Sequence, residues 1–208
     1  MIFSLSNKKN IFLTVFLIIA FLVSFCSFAF TSSFRLGFPA PNFTLKNING
    51  GTFNLEDYQE KQKLLILYFC NIENEDSVSG IKDLAKYFEE HIINEKYQVM
   101  MINTNKDQKE EDFAKIKEFW NSKKINFPIL LDSINELGNL YNIEVLPTVI
   151  FLDKNLVVKR VYTGLISQQQ NIMFQYISYF LAAQEKGEKK DTKKNDGCGD
   201  VCPPPPGY

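Results

Sequence analysis

Residues 64–84, LLILYFCNIENEDSVSGIKDL, constrain this chain more than any other stretch. Its first seven residues are apolar without interruption and stop at turn formers, the pattern of a strand buried on both faces of a sheet. Residues 71–77 then supply helix-start chemistry: Asn74 and Asp76 are good N-cap types, and acids there complement the positive end of a helix dipole. Ile81, Leu84, Ala85 and Phe88 follow at helical spacing. Strand, loop and helix N-terminus together frame a reactive site, because backbone N–H groups and the dipole favour an anion such as a thiolate. The thiol pair is missing from the frame; the one nearby cysteine is Cys70, at the end of the strand.

The remaining elements follow from the same kind of reading. Residues 37–58, GFPAPNFTLKNINGGTFNLEDY, hold two alternating stretches joined by Asn49-Gly50, a strong hairpin signal. Residues 97–103 read as a second core strand, and 110–120 as an amphipathic helix with Phe113, Ile116 and Trp120 on one face. Residues 127–132 read as a third strand, with Pro128 near its start where a lost donor is tolerated. A short helix is expected over 134–141, strands at the VLPTVIFLD segment (145–153) and at 156–162, and a closing helix over 167–183 whose apolar face is Ile172, Tyr176, Ile177 and Phe180. Strands alternating with helices argue for an α/β domain with a mainly parallel sheet covered on both faces.

Both ends of the chain differ from this middle. Over residues 1–31, Lys8 and Lys9 precede an apolar or small-residue run from 11 to 30, which is a signal peptide or a membrane anchor. Ser27-Phe28-Ala29 fits a small-x-small cleavage site, and the length fits an anchor equally well. Phe25 before Cys26 departs from the small residue a lipid-modified cysteine requires, so Cys26 reads as apolar filler. Either way the domain is expected outside the cytoplasm, periplasmic or at the cell surface, where disulfides persist. Residues 184–208 turn abruptly polar and are expected to be a charged disordered linker ending in Cys198-Gly-Asp-Val-Cys202 and four prolines.

Charge bounds the partners. The net charge is −1, or −3 once Lys8 and Lys9 are set aside, so no basic excess exists to attract nucleic acid. No cofactor is expected, and no metal: a zinc site needs about four ligands, and the tail offers two thiols.

The motifs in combination resemble the thioredoxin-fold redoxins, especially the exported TlpA and ResA kind of thiol-disulfide oxidoreductase, and the neighbouring peroxiredoxin-like AhpC/TSA group. Such proteins open with an APxFxL stretch, here Ala40-Pro41-Asn42-Phe43-Thr44-Leu45, and continue to Leu-x-x-Tyr, here Leu55-Glu56-Asp57-Tyr58. Their CxxC sits at the start of the helix, which falls here on Asn74-Glu75-Asp76-Ser77. YNIEVLPTVIFLDKN resembles their cis-proline element, implying that Pro147 is cis and faces residues 71–77. The resemblance spans residues 37–183, about 70% of the chain, a normal domain size.

What the resemblance implies about activity therefore divides. One expectation is residual thiol exchange with protein thiols or disulfides, carried by Cys198 and Cys202, or by Cys70 with a tail cysteine. A second is a module without turnover that binds extended peptide segments along Leu146, Pro147 and Thr148, where a strand can be added. A third, peroxidase activity, requires a cysteine near Asn74 or Ser77. Against Cys70 stand its place in a buried strand and the acids Glu73, Glu75 and Asp76, which disfavour thiolate. The same acids form at best a weak hard-cation cluster and read instead as a solvated helix start. His91, the only histidine, reads as a helix C-terminal residue. About 14 flexible residues between Ala183 and Cys198 span roughly 20 Å, enough for the tail thiols to visit the Pro147 face.

Overall fold

A computed structural model of the chain describes residues 34–91, 97–104, 110–164 and 166–191, apart from the side chains of 110, 111, 167 and 184–191. The segment read as a signal peptide or anchor, with Cys26, and the tail pair Cys198 and Cys202 lie outside these residues. Seven strands form one sheet: β1 Thr44–Asn47, β2 Thr52–Asn54, β3 Leu64–Cys70, β4 Tyr97–Thr104, β5 Ile129–Asp132, β6 Thr148–Asp153 and β7 Val158–Thr163. A single 3₁₀ turn, Leu55–Tyr58, follows β2, and the helices are α1 Glu75–His91, α2 Glu110–Ser122, α3 Glu136–Leu140 and α4 Ile166–Asp191.

The strand order is β2-β1-β5-β4-β3-β6-β7. The α/β thioredoxin-like architecture is as expected, but the sheet is parallel only in its middle, where β3 pairs with β4 and β4 with β5. Its flanks are antiparallel, with β1 against β2 and β5, and β6 against β3 and β7. The reason is connection length: the β1–β2 and β6–β7 loops are a few residues long, whereas a parallel pair needs a crossover of about a dozen.

Every residue of β3 is buried, as a central strand flanked on both sides requires. Its alternation sorts the core into two layers. Leu64, Ile66, Tyr68 and Cys70 belong to the layer that includes Ile81, Leu84 and Phe88 of α1, Ile116 and Trp120 of α2, and Met173 and Ile177 of α4. Leu65, Leu67 and Phe69 belong to the other, with Phe43, Leu55, Leu137 and Tyr141. Fully burying one such side chain contributes about 1.5–3 kcal/mol, so the two layers dominate the stability of the domain.

Several boundaries moved for local reasons. The hairpin forms, but the positive φ angles fall on Gly50 and Gly51, so the turn is wider than a two-residue Asn-Gly turn. Strand β5 begins at Ile129 because Pro128 has no amide to give the ladder. Helix α3 begins late, at Glu136, because Asn135 adopts a left-handed conformation (φ 56°) and the buried Asp132 carboxylate takes the amides of Leu137 (3.2 Å) and Gly138 (2.9 Å). Helix α4 continues to Asp191, so the first residues assigned to a disordered linker extend the helix instead. Gln, Glu and Lys are good helix formers, and a charged sequence beginning on an established helix has no reason to stop.

Candidate functional site

The site is assembled at one edge of the sheet by topology. Parallel strands β3, β4 and β5 all end there, and antiparallel β6 begins there, since Phe69 pairs with Thr148. The loop after β3 and the turn before β6 are therefore neighbours. Residue 71 starts the first: Asn71 Oδ1 accepts from the Glu73 amide at 2.8 Å, and the Asn74 amide bonds the Asn71 carbonyl at 3.2 Å. Asn74 then caps α1, its Oδ1 accepting from the Ser77 amide at 2.7 Å. Of the two N-cap types in the sequence, Asn74 takes the role, and Asp76 sits exposed in the first turn beside Glu75.

The Leu146–Pro147 peptide bond is cis, as the VLPTVIFLD segment led one to expect. The turn is held by the Thr148 hydroxyl donating to the Val145 carbonyl at 2.7 Å and the Gly164 amide donating to the Pro147 carbonyl at 2.8 Å. Asn74 Nδ2 approaches the Leu146 carbonyl at 3.5 Å, a long contact that places the helix start against the turn. The structure thus brings Asn74, Leu146 and Pro147 together. Thr148 and Pro147 are buried, so they shape the turn, and the accessible surface is that of Val145 and partly of Leu146. Val145 was not among the residues singled out from the sequence, although an apolar residue just ahead of a proline turn is the signal that marks it.

The position three residues on is different in kind. Ser77 is fully buried, and its hydroxyl finds no hydrogen-bond partner. Its carbonyl accepts from the Tyr68 hydroxyl at 2.8 Å, which ties the first turn of α1 to β3. Burial, with smaller contributions from Cys70, Asp83 and Asp76, pushes the Tyr68 hydroxyl far above the ordinary tyrosine range, so it stays protonated as a donor. The chemistry of the pair is therefore a capping amide and a sequestered hydroxyl, neither of which forms a mixed disulfide.

Cys70 lies one register step inside the edge, opposite Asn103 of β4, fully buried. Burial alone pushes its thiol well above the ordinary range, and Sγ meets only the Ile102 carbonyl at 3.7 Å. A buried protonated thiol is a poor nucleophile, so Cys70 belongs to the core. His91 ends α1 stacked on the Tyr87 ring, centroids 4.9 Å apart, far along the helix from the turn. Among the described residues no group of three or more His, Cys, Asp or Glu is placed to hold a metal. Among them also, no helix is long and apolar enough to cross a membrane.

Helix α4 bears on the tail. It starts beside the Pro147 turn and ends at Asp191, about 38 Å away at 1.5 Å per residue. Cys198 lies seven residues further, at most about 25 Å of extended chain. That length is shorter than the helix the tail follows. The 20 Å excursion expected from a linker beginning at residue 184 starts in fact from the far end of a helix.

Comparison with known proteins agrees with this geometry. The profile described as the AhpC/TSA family matches residues 36–161. The thiol-disulfide oxidoreductase ResA of Bacillus subtilis is 24% identical over 161 residues, which cover 77% of this chain and 86% of that protein. A Bacteroides thetaiotaomicron structure assigned as a protein disulfide isomerase superposes with a TM-score of 0.61 at 17% identity, over 72% of this chain and 91% of that one. One assigned as the thiol:disulfide interchange protein DsbE of Chlorobium tepidum gives 0.58 at 19% identity, over 72% and 99%. These last two likenesses speak to the fold.

Proposed function

The chain belongs to the AhpC/TSA family, and from that premise we propose that it is an extracytoplasmic thioredoxin-like protein of the thiol-disulfide oxidoreductase kind that binds extended segments of client proteins at the Pro147 face without redox turnover at the start of α1. The N-terminal run of residues 11–30, as signal peptide or tether, supports the location. The observation that carries the rest is Asn74. It occupies the helix start where an exchange thiol would act, capping α1 and meeting the Leu146 carbonyl, while the cis turn opposite is fully formed. An extended client can pair with backbone at that turn as an added strand, with its side chains against Val145. Clients of this class are protein thiols or disulfides in unfolded or extended segments. Peroxide reduction has no support, since neither Asn74 nor Ser77 is a cysteine.

A second reading rests on Cys198 and Cys202, whose spacing closes a small disulfide ring of the labile, exchangeable type. Because α4 ends about 38 Å from its start beside the Pro147 turn, we infer that such exchange acts on a client held elsewhere or on a second copy. Two measurements on the full chain decide. Fluorescent unfolded peptides should bind saturably, and Val145→Asp should weaken them about tenfold, the value of one apolar contact at a binding face. Disulfide reduction should be undetectable in the wild type and unchanged in Cys70→Ser. Reduction that disappears in both Cys198→Ser and Cys202→Ser selects the second reading, and absence of any peptide binding removes the first.

A further inference from the structure

Among the described residues, the segments that flank Asn74 and Pro147 on their edge of the sheet carry acids, and the nearest lysine along α1 is Lys82, about two turns in. These segments, residues 71–81 and 133–148, contain Glu73, Glu75, Asp76, Glu136 and Glu144, all exposed, and no lysine or arginine. The connection 105–109, with Lys106, Asp107 and Lys109, lies outside the described residues. Two apolar side chains of these segments are exposed, Ile134 at 72% and Val145 at 50%, and Ile72 and Leu146 are half-buried. Lys86, Lys154 and Lys159 pair with Glu90, Glu60 and Asp153, none of them on this edge.

We propose that the client segment recognised at the Pro147 face is cationic: an extended stretch with an apolar residue seated on the exposed Val145 and lysine or arginine on either side. This rests on the peptide-binding reading above and adds its substrate class. The exposed Val145 supplies sequence-tolerant affinity, and the carboxylates select sign, repelling acidic segments and attracting basic ones over a Debye length of about 8 Å at physiological salt. The same acids explain why this edge is an unfavourable place for a thiolate and a favourable one for positive charge.

The test is binding of two short peptides to the full chain, one with a Val-Leu-Phe centre flanked by lysines and its twin flanked by glutamates. The lysine peptide should bind about tenfold or more tighter, and raising salt to about 0.5 M should erase most of the difference. Glu73→Gln, Glu75→Gln and Glu144→Gln combined should reduce the preference about tenfold without weakening the glutamate peptide, whereas Val145→Asp should weaken an uncharged twin. Equal binding of both peptides, with Val145→Asp still harmful, overturns the charge preference and leaves the peptide-binding reading standing. No binding of either peptide overturns both. Should removal of residues 192–208 raise affinity for both peptides alike, the occupant is the chain's own tail from another copy, and the proposal falls.

Discussion

At the scale of single residues the site is defined by Asn74, Ser77 and Cys70, which differ in what their surroundings ask of them. Asn74 has a structural task, so Asn74→Ala should cost about 1 kcal/mol of stability through the lost cap. Ser77 has none for its hydroxyl, which is buried and unpaired; Ser77→Ala should be neutral or stabilising by up to about 1 kcal/mol. Denaturant titration of the two variants checks the contrast. Cys70 should resist thiol reagents in the native protein and react on unfolding. Its folded pKa is raised by burial, so its contribution to stability is whole below the ordinary thiol value of 9.0 and is lost as pH rises toward the folded value. Between about pH 9 and pH 10.5 the wild type should therefore lose about 2 kcal/mol more than Cys70→Ala, measured by urea unfolding across pH. The helix-start positions could be assigned in the sequence through the family resemblance, and they fall where the capping geometry is. That Ser77 is sealed could not be read, because its burial is tertiary: the Tyr68 hydroxyl of β3 meets its carbonyl.

At the scale of elements, the informative contact is the crossing of α1 over β3 and against α4. A Cβ on Gly80 would lie 2.6 Å from the Tyr68 hydroxyl and 3.2 Å from Ile166 Cβ, so the helices meet at this residue. Alanine is the better helix former by about 1 kcal/mol, yet Gly80→Ala should destabilise by about 1–3 kcal/mol, because overpacking outweighs propensity. Thermal melting decides between the two signs. Strands β3 and β6 and helix α1 were legible because their apolar period is unbroken. The late start of α3 was not: Asp132 and Asn135 act through backbone amides and a left-handed turn, and nothing in ELGNL announces it. Nor was the docking of the N-terminal stretch, where the Tyr141 hydroxyl donates to the Pro41 carbonyl at 2.6 Å across a hundred residues of sequence.

At the scale of the whole molecule, the sheet gathers the ends of β3, β4 and β5 and the start of β6 on one edge, which is why residues 71–77 and Pro147 meet although about seventy residues separate them. The resemblance in the sequence made that meeting predictable. The course of α4 was not predictable from composition, since a charged segment reads alike as linker or as helix extension. The account's central claim is that a redoxin frame is intact here and lacks only its thiols. Asn74→Cys/Ser77→Cys tests it most directly: an N-cap and the residue three positions on have Cα atoms about 5–6 Å apart, within the span a disulfide bridges. The double variant should form a reversible disulfide between these two positions, located by peptide mapping, and should reduce a protein disulfide that the wild type leaves untouched. A variant that folds as the wild type does, yet keeps both thiols reduced under oxidation or remains inert toward protein disulfides, contradicts the claim.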